Sequence, residues 1–217
     1  MPASSSPQRR NPPAPRWKRR AEARPEEILE AALAEFDERG FDAARMEDIA
    51  KRAGLSKAGV YLYFESKEAL LKALIEAKIS PIAQNAQSIA LAGAADPKLA
   101  MRMLVTAMAT RFSDPKIFAV PRLVIGLSAR FPDLADYYRT HVIDLAKQAL
   151  ESLIVAGIAQ GKFRAVEPRA AVRAFVGPML FEAFYTHVMR GPSVLGDPPK
   201  LVEEHLNLLL EGLEKRA

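Results

Sequence analysis

The chain has no cysteine, which removes disulfides, thiolate catalysis and zinc-finger ligation and suits a reducing, cytoplasmic setting. It also lacks any apolar run approaching the roughly 18 residues of a membrane span, so no membrane partner is expected. The basic N-terminus continues into Pro and Arg rather than an apolar stretch, so it does not read as a signal peptide. No window alternates with period two for long enough to suggest a sheet, and no internal repeat is visible. His141, His187 and His205 are too scattered for a metal site. Ser-His-Asp, paired-carboxylate and glycine-rich phosphate constellations are absent as well. Neither an enzyme nor a resident cofactor is expected.

What is present is a helical globular chain with a charged leader. About half of the 217 residues are apolar, enough for a sizeable core. Residues 1–24 carry seven cations, Arg9, Arg10, Arg16, Lys18, Arg19, Arg20 and Arg24, against Glu22 alone. The whole chain is only +5, so the remainder is close to neutral. Pro2, Pro7, Pro12, Pro13 and Pro15 keep this leader extended. It reads either as a solvated, flexible tail or as an arm that neutralises phosphates, entering a minor groove with Arg16, Lys18, Arg19 or Arg20. Trp17 either stacks or packs on the first helix.

The segment Met46–Phe64, MEDIAKRAGLSKAGVYLYF, has the spacing of a helix-turn-helix. With Met46 as the first position, Ala50 is fifth, Gly54 ninth and Val60 fifteenth. Two short helices crossing steeply need a small residue at their contact, a residue tolerant of positive φ in the turn, and a buried aliphatic on the second helix. Ala50, Gly54 and Val60 supply these in order. The same geometry turns Lys57, Ala58, Gly59, Tyr61 and Tyr63 outward, where a DNA major groove would lie.

Elsewhere the pattern is helical throughout. Pro25 begins a helix whose stripe is Ile28, Leu29, Ala32, Leu33 and Phe36, and Gly40 ends it. Ser56 and Ser66 are N-caps. Leu70, Leu71, Leu74 and Ile75 face inward on a fourth helix that Pro81 kinks or ends. Asp96-Pro97 and Asp114-Pro115 open further helices, and long helical segments are predicted near residues 132–160, 167–190 and 198–215. The expected fold is all-α: a basic tail over residues 1–23, a three-helix head over 24–79, and a helical body over 80–217.

The stretch from Ile28 to Lys72 resembles the DNA-binding domain of the TetR family of bacterial transcriptional regulators. The matching residues are Ile28-Leu29, Ala31-Ala32, Phe36, Gly40-Phe41, Asp48-Ile49-Ala50, Ala53-Gly54-Leu55-Ser56, Val60 to Phe64 and Ser66 to Leu71. Ala129 to Leu134, with Tyr137-Tyr138, is similar to the AcrR-like and AefR-like branches. The resemblance implies a homodimeric regulator, most often a repressor, that reads a palindromic operator and is released by a small apolar or aromatic ligand.

Individual roles follow from chemistry with the family as support. Lys57 begins the second helix, where a cation is unfavourable for the helix dipole; it is either solvated or placed for a phosphate or guanine edge. Gly59 costs about 1 kcal/mol relative to alanine in a helix, and close approach to DNA is a use for it. The positions of Tyr61 and Tyr63 commonly touch DNA in the family, although either ring could instead pack sideways. Lys67, behind the Ser66 cap, stands where the family binds phosphate. Two departures are Arg45, where many relatives carry Thr or Ser, and Glu47, where some place a base-contacting Arg. In the body, Phe112, Phe118, Arg122, Tyr138, Met179 and Glu182 are candidate ligand contacts. Plain core packing is the alternative for the apolar ones, and a pairing with each other or a solvated rim for Arg122 and Glu182. The resemblance implies dimerisation through the last two long helices, with Phe184, Leu206, Leu209 and Leu213. Two other function classes are a helical small-molecule enzyme and a sequence-tolerant, charge-driven DNA binder.

Overall fold

A computed structural model describes the backbone of residues 16–192 and 198–214, with residues 16–23 and 198–201 described by backbone alone. The expectations for residues 1–15 lie outside the described residues, as do the side chains of Arg16, Lys18, Arg19 and Arg20. Every described element is helical. They are α1 Arg16–Ala43, α2 Met46–Arg52, α3 Lys57–Tyr61, α4 Lys67–Leu74, α5 Ser80–Ala92, α6 Pro97–Ser113, α7 Pro115–Leu127, α8 Pro132–Tyr138, α9 Asp144–Ala159, α10 Pro168–His187 and α11 Pro198–Leu213.

Helix α1 starts nine residues before the expected Pro25, which lies inside it. The Lys, Arg, Ala and Glu residues between Trp17 and Arg24 are strong helix formers, and they carry the helix through a proline that forfeits one bond. The expected stop holds in substance: Gly40 has φ 79°, a conformation open to glycine, and only a short turn continues beyond it. Between α4 and α5 the chain does not break at Pro81. It passes through a π turn, Ile75–Ile79, which loosens the turn whose carbonyl the proline ring would otherwise strike. The expected caps form, with Ser66 Oγ accepting from Ala69 N at 3.1 Å and Asp114 Oδ1 from Lys116 N at 2.8 Å. Ser56 Oγ likewise accepts from Gly59 N at 3.1 Å.

Two apolar cores organise the chain. The first gathers Ile28, Phe36, Ile49, Val60, Leu70 and Leu74 and runs on into Val120, Val124, Leu134 and Val142. The head is therefore packed continuously against α7 and α8. The second core joins Met101, Leu104, Leu150, Ile154, Phe175, Leu206 and Leu210. Each such aliphatic or phenyl side chain contributes about 1.5–3 kcal/mol by leaving water.

Candidate nucleic-acid interface and cavities

The head is built as the spacing of α2 and α3 demands. Ala50 is buried at their contact and Val60 is fully buried opposite it. Gly54 has φ 68°, and the turn is closed by Leu55 N donating to Ala50 O at 2.8 Å. A Cβ on Gly59 would press on Ser56 Oγ at 3.3 Å, so this glycine also protects the cap of α3. Helix α3 ends at Tyr61, short of the end of the Met46–Phe64 segment, and Leu62 and Tyr63 follow in a turn.

On the outward face Lys57, Ala58, Tyr61 and Tyr63 are exposed, as expected for a groove-facing surface. Leu62 was not anticipated, and at 83 % it is the most exposed large apolar side chain in the protein's described part. No polar signal marks it, which is why residue chemistry passed over it. Lys57 is exposed to solvent but not free: it forms an ion pair with Glu47. The hydrogen bond from Lys57 holds the Glu47 carboxyl below the usual carboxylate range, and the same bond raises the Lys57 ammonium. Glu47, the acidic departure in α2, is thus a local counter-charge for the cation that begins α3. Arg45 is exposed at the N-cap of α2, in an extended conformation and without a side-chain capping bond.

Lys67 turns back toward α1. Its Nζ donates to Phe41 O at 2.6 Å and Asp42 O at 3.2 Å and lies 4.8 Å over the Phe41 ring. It closes the end of α1 with two of its three N–H donors, which leaves the third for a phosphate. A cluster not expected from the sequence clamps α1 to α2. Glu35 is 3 % exposed and meets Arg52 Nε at 2.9 Å and Arg39 Nε at 3.3 Å. Arg39 also reaches Asp48 at 3.1 Å. The i,i+4 spacing of Glu35 and Arg39 was the available signal.

The head and body meet through polar and aromatic contacts. Arg122 pairs with Asp37 and Arg130 with Asp42, while Phe131 sits edge-on to Phe41 at 5.6 Å. Tyr137 donates its hydroxyl to Glu76 at 2.8 Å beneath the Lys72 ammonium, 4.6 Å from the ring. These contacts correct one expectation: Arg122 lines neither cavity and does not meet Glu182, because Asp37 on α1 holds it.

Two of the body's cavities take in candidate ligand contacts. The first, about 570 Å³, lies between α5, α6, α7, α8, α9 and α10 and takes in Phe112 and Tyr138. Burial pushes the Tyr138 phenol up to about 12. The second, about 580 Å³, lies between α6, α10 and α11 and is lined by Phe112, Met179, Glu182, His187 and His205 among others. His187 Nε2 is 3.0 Å from Phe112 O. The six candidate ligand contacts are therefore divided. Phe118 belongs to neither wall: it is 1 % exposed and packs edge-on behind Phe112 at 6.5 Å. Among the described residues no group of three or more His, Cys, Asp or Glu is arranged to hold a metal ion.

The expected dimer residues are also redistributed. Leu206 and Leu213 are buried in the subunit's own second core and Leu209 is half-buried against it. Leu208, roughly 200° around the helix from Leu206, is 72 % exposed, with Phe181 at 66 % and Phe184 at 40 % on α10. The helical period was legible but its phase was not.

Comparison with known proteins gives this arrangement its family. Residues 28–74 match the bacterial regulatory proteins of the tetR family. Residues 99–202 match the C-terminal domain of AefR-like transcriptional repressors. The chain belongs to the TetR family. It is 28% identical over 167 residues to the uncharacterised HTH-type transcriptional regulator YfiR of Bacillus subtilis, covering 73% of this chain and 77% of that one. A TetR transcription regulator from Haloarcula marismortui shares the fold at TM-score 0.74 and 16% identity, over 89% of this chain and 100% of that one. PfmR, a TetR family regulator from Thermus thermophilus, matches at TM-score 0.61 and 27% identity, over 87% of this chain and 99% of that one. This TetR-family chain is a DNA-binding transcriptional regulator and not an enzyme.

Proposed function

We propose that this TetR-family protein is a homodimeric cytoplasmic repressor, displaced from a palindromic operator by a small, largely apolar ligand. In this reading residues 1–23 are a basic segment that runs into the start of α1 from Arg16, 24–79 the DNA-binding head and 80–217 the ligand-binding and dimerisation body. The carrying observation is that one set of helices touches both ends of the problem. Helix α7 lines the first cavity and also presents Arg122 to Asp37 on α1. Helix α5 lines the same cavity and continues through the π turn from α4, the last helix of the head.

A ligand that spreads α5 from α7 changes the angle of each head. Two heads related by a two-fold axis must reach successive major grooves about 34 Å apart, so a small rotation is enough to lose one half-site. Ligand then favours the conformation poor in DNA affinity by as much as it binds that conformation better. Arg45, Lys57, Tyr61, Tyr63 and Lys67 contact the groove or its phosphates. Ala58 and Gly59 allow close approach, Ser56 orders the helix, and the basic segment with Arg16, Lys18, Arg19 and Arg20 adds sequence-independent affinity. Phe181, Phe184 and Leu208 form the apolar surface that pairs two copies.

The test is fluorescence anisotropy of purified protein on duplex DNA flanking its own gene, against scrambled duplex, at two salt concentrations. A saturable preference at two subunits per site supports the reading, and reporter transcription that rises on deletion of the gene supports repression. Equal, steeply salt-dependent binding to both duplexes would instead favour a charge-driven, sequence-tolerant binder.

A further inference from the structure

The first cavity carries charge of one sign only. Its walls are mainly apolar, with Ile82, Leu104, Met108, Phe112 and Val124 among them, beside the neutral polar groups of Asn85, Ser128 and Tyr138. Among the described residues the charged side chains on its lining are Arg111 from α6, Lys147 from α9 and Arg173 from α10, with no carboxylate. All three cations are exposed, which places them at the mouth and leaves the rest of the lining uncharged and mainly apolar. Among the described residues neither Arg111 nor Arg173 has an ion-pair partner, and Lys147 approaches Asp144 only at 3.8 Å. This asymmetry is not a general property of the chain, which is close to neutral beyond residue 24. The neighbouring cavity has the opposite character, with Glu182 and Glu204 on its wall.

Apolar walls under a cationic mouth select by chemistry. A neutral hydrocarbon gains from burial alone, and an organic cation is repelled at the entrance. An anion on an apolar body gains both burial and charge-assisted hydrogen bonds, which guanidinium forms with particular geometric fit to carboxylates. The volume is in the range that holds a small organic ligand. Small residues clear the space, above all Gly177 on α10, where an added Cβ would meet nothing within 4 Å.

We infer that the cavity binds an amphipathic organic anion, its apolar body between α5, α6 and α7 and its carboxylate or similar head held at the mouth by Arg111 and Arg173. Lys147 adds to the positive field there. This rests on the ligand-release reading above and specifies the class of ligand that the site takes.

The experiment is calorimetric titration of the full-length protein with three probes of equal chain length below their micelle-forming concentrations: decanoate, decanol and decyltrimethylammonium. Decanoate is expected to bind about tenfold tighter than decanol, the scale of one charge-assisted hydrogen bond at a partly wet site, and the ammonium weakest. The Arg111→Gln/Arg173→Gln double variant is expected to remove the advantage of decanoate while decanol binding persists. Gly177→Leu, which fills the cavity, is expected to weaken both. Far-ultraviolet circular dichroism checks each variant, and the two single arginine variants replace the double one if it does not fold. Decanol binding as tightly as decanoate, or an advantage that survives the arginine substitutions, would overturn the anionic head while leaving an apolar ligand standing. Undiminished decanoate binding in Gly177→Leu would overturn the location. Binding of none of the three probes would bring down the ligand reading and the inference together.

Discussion

Replacing Glu47 with glutamine isolates what the Glu47–Lys57 pair does on DNA. Both side chains are about half exposed, 53 % and 55 %, so the pair is well solvated and adds little to folding. Its consequence is electrostatic: it makes the start of α3 locally neutral, so Lys57 brings no net positive charge to the groove. Glutamine keeps the size of the side chain and leaves Lys57 as an uncompensated cation beside the phosphates. Each additional phosphate neutralised adds about 0.9 to the slope of log affinity against log salt, so two heads add about 1.8. Between about 50 and 200 mM salt, the advantage of the variant over the parent should then shrink about twelvefold. Because Lys57 holds the Glu47 carboxyl below its ordinary range, the group is fully ionised at neutral pH. The pair is present above the ordinary carboxylate range and lost only as pH falls through the depressed value. The assay is anisotropy at neutral pH on an operator selected from random duplex, across a salt series, with Glu47→Gln, Lys57→Gln and the double variant. The expected order is Glu47→Gln tightest and Lys57→Gln weakest, the latter leaving a bare carboxylate facing DNA. An unchanged salt slope in Glu47→Gln would refute the reasoning, since Lys57 would then not face phosphate at all.

Other perturbations test the frame that carries this site. Ser56→Ala removes the acceptor for Gly59 N and should cost about 1 kcal/mol in urea unfolding, with a parallel loss of operator affinity. Gly157→Ala would place a Cβ 2.1 Å from a ring carbon of Phe163, which is itself buried. Overpacking of about 1–3 kcal/mol should outweigh the gain in helix propensity, and Phe163→Leu should rescue it in the double variant, read by the thermal midpoint. Tyr138, raised to about 12 by burial, favours the folded state fully below the unfolded phenol value near 10. That contribution is lost as pH rises from about 10 toward 12, by roughly 2–3 kcal/mol at most. Tyr138→Phe should flatten this part of the stability–pH curve relative to the parent. Phe181→Glu with Leu208→Glu should convert a dimer to a monomer in light scattering, whereas Leu206→Ala, in the subunit core, should chiefly lower the melting temperature.

What the sequence determined by itself was whatever depends on neighbours along the chain. The Ala50, Gly54 and Val60 spacing dictated the helix-turn-helix because a tight turn and a close crossing are local steric demands. Ser56, Ser66 and Asp114 were readable as caps because each bonds an amide two or three residues away. Gly40 was readable as a break because only its lack of a Cβ makes φ 79° inexpensive. The outward set of α3 followed from the same short-range geometry, except for Leu62, whose exposure contradicts its apolarity.

Only the tertiary structure decided which charges meet and which apolar faces are hidden. Lys67 reaches back 26 residues to the Phe41 carbonyl and Arg122 reaches 85 residues to Asp37. Neither partner is implied by spacing, because each depends on how rigid helices are placed. The leucines of α11 share one periodic pattern, yet the packing of that helix on α6 and α10 chose Leu206 and Leu210 for the core and left Leu208 outside. The first cavity is the strongest case: its walls come from six helices and its three cations from three of them. Its charge exists only where separate pieces of backbone converge, and no single stretch of the chain contains it.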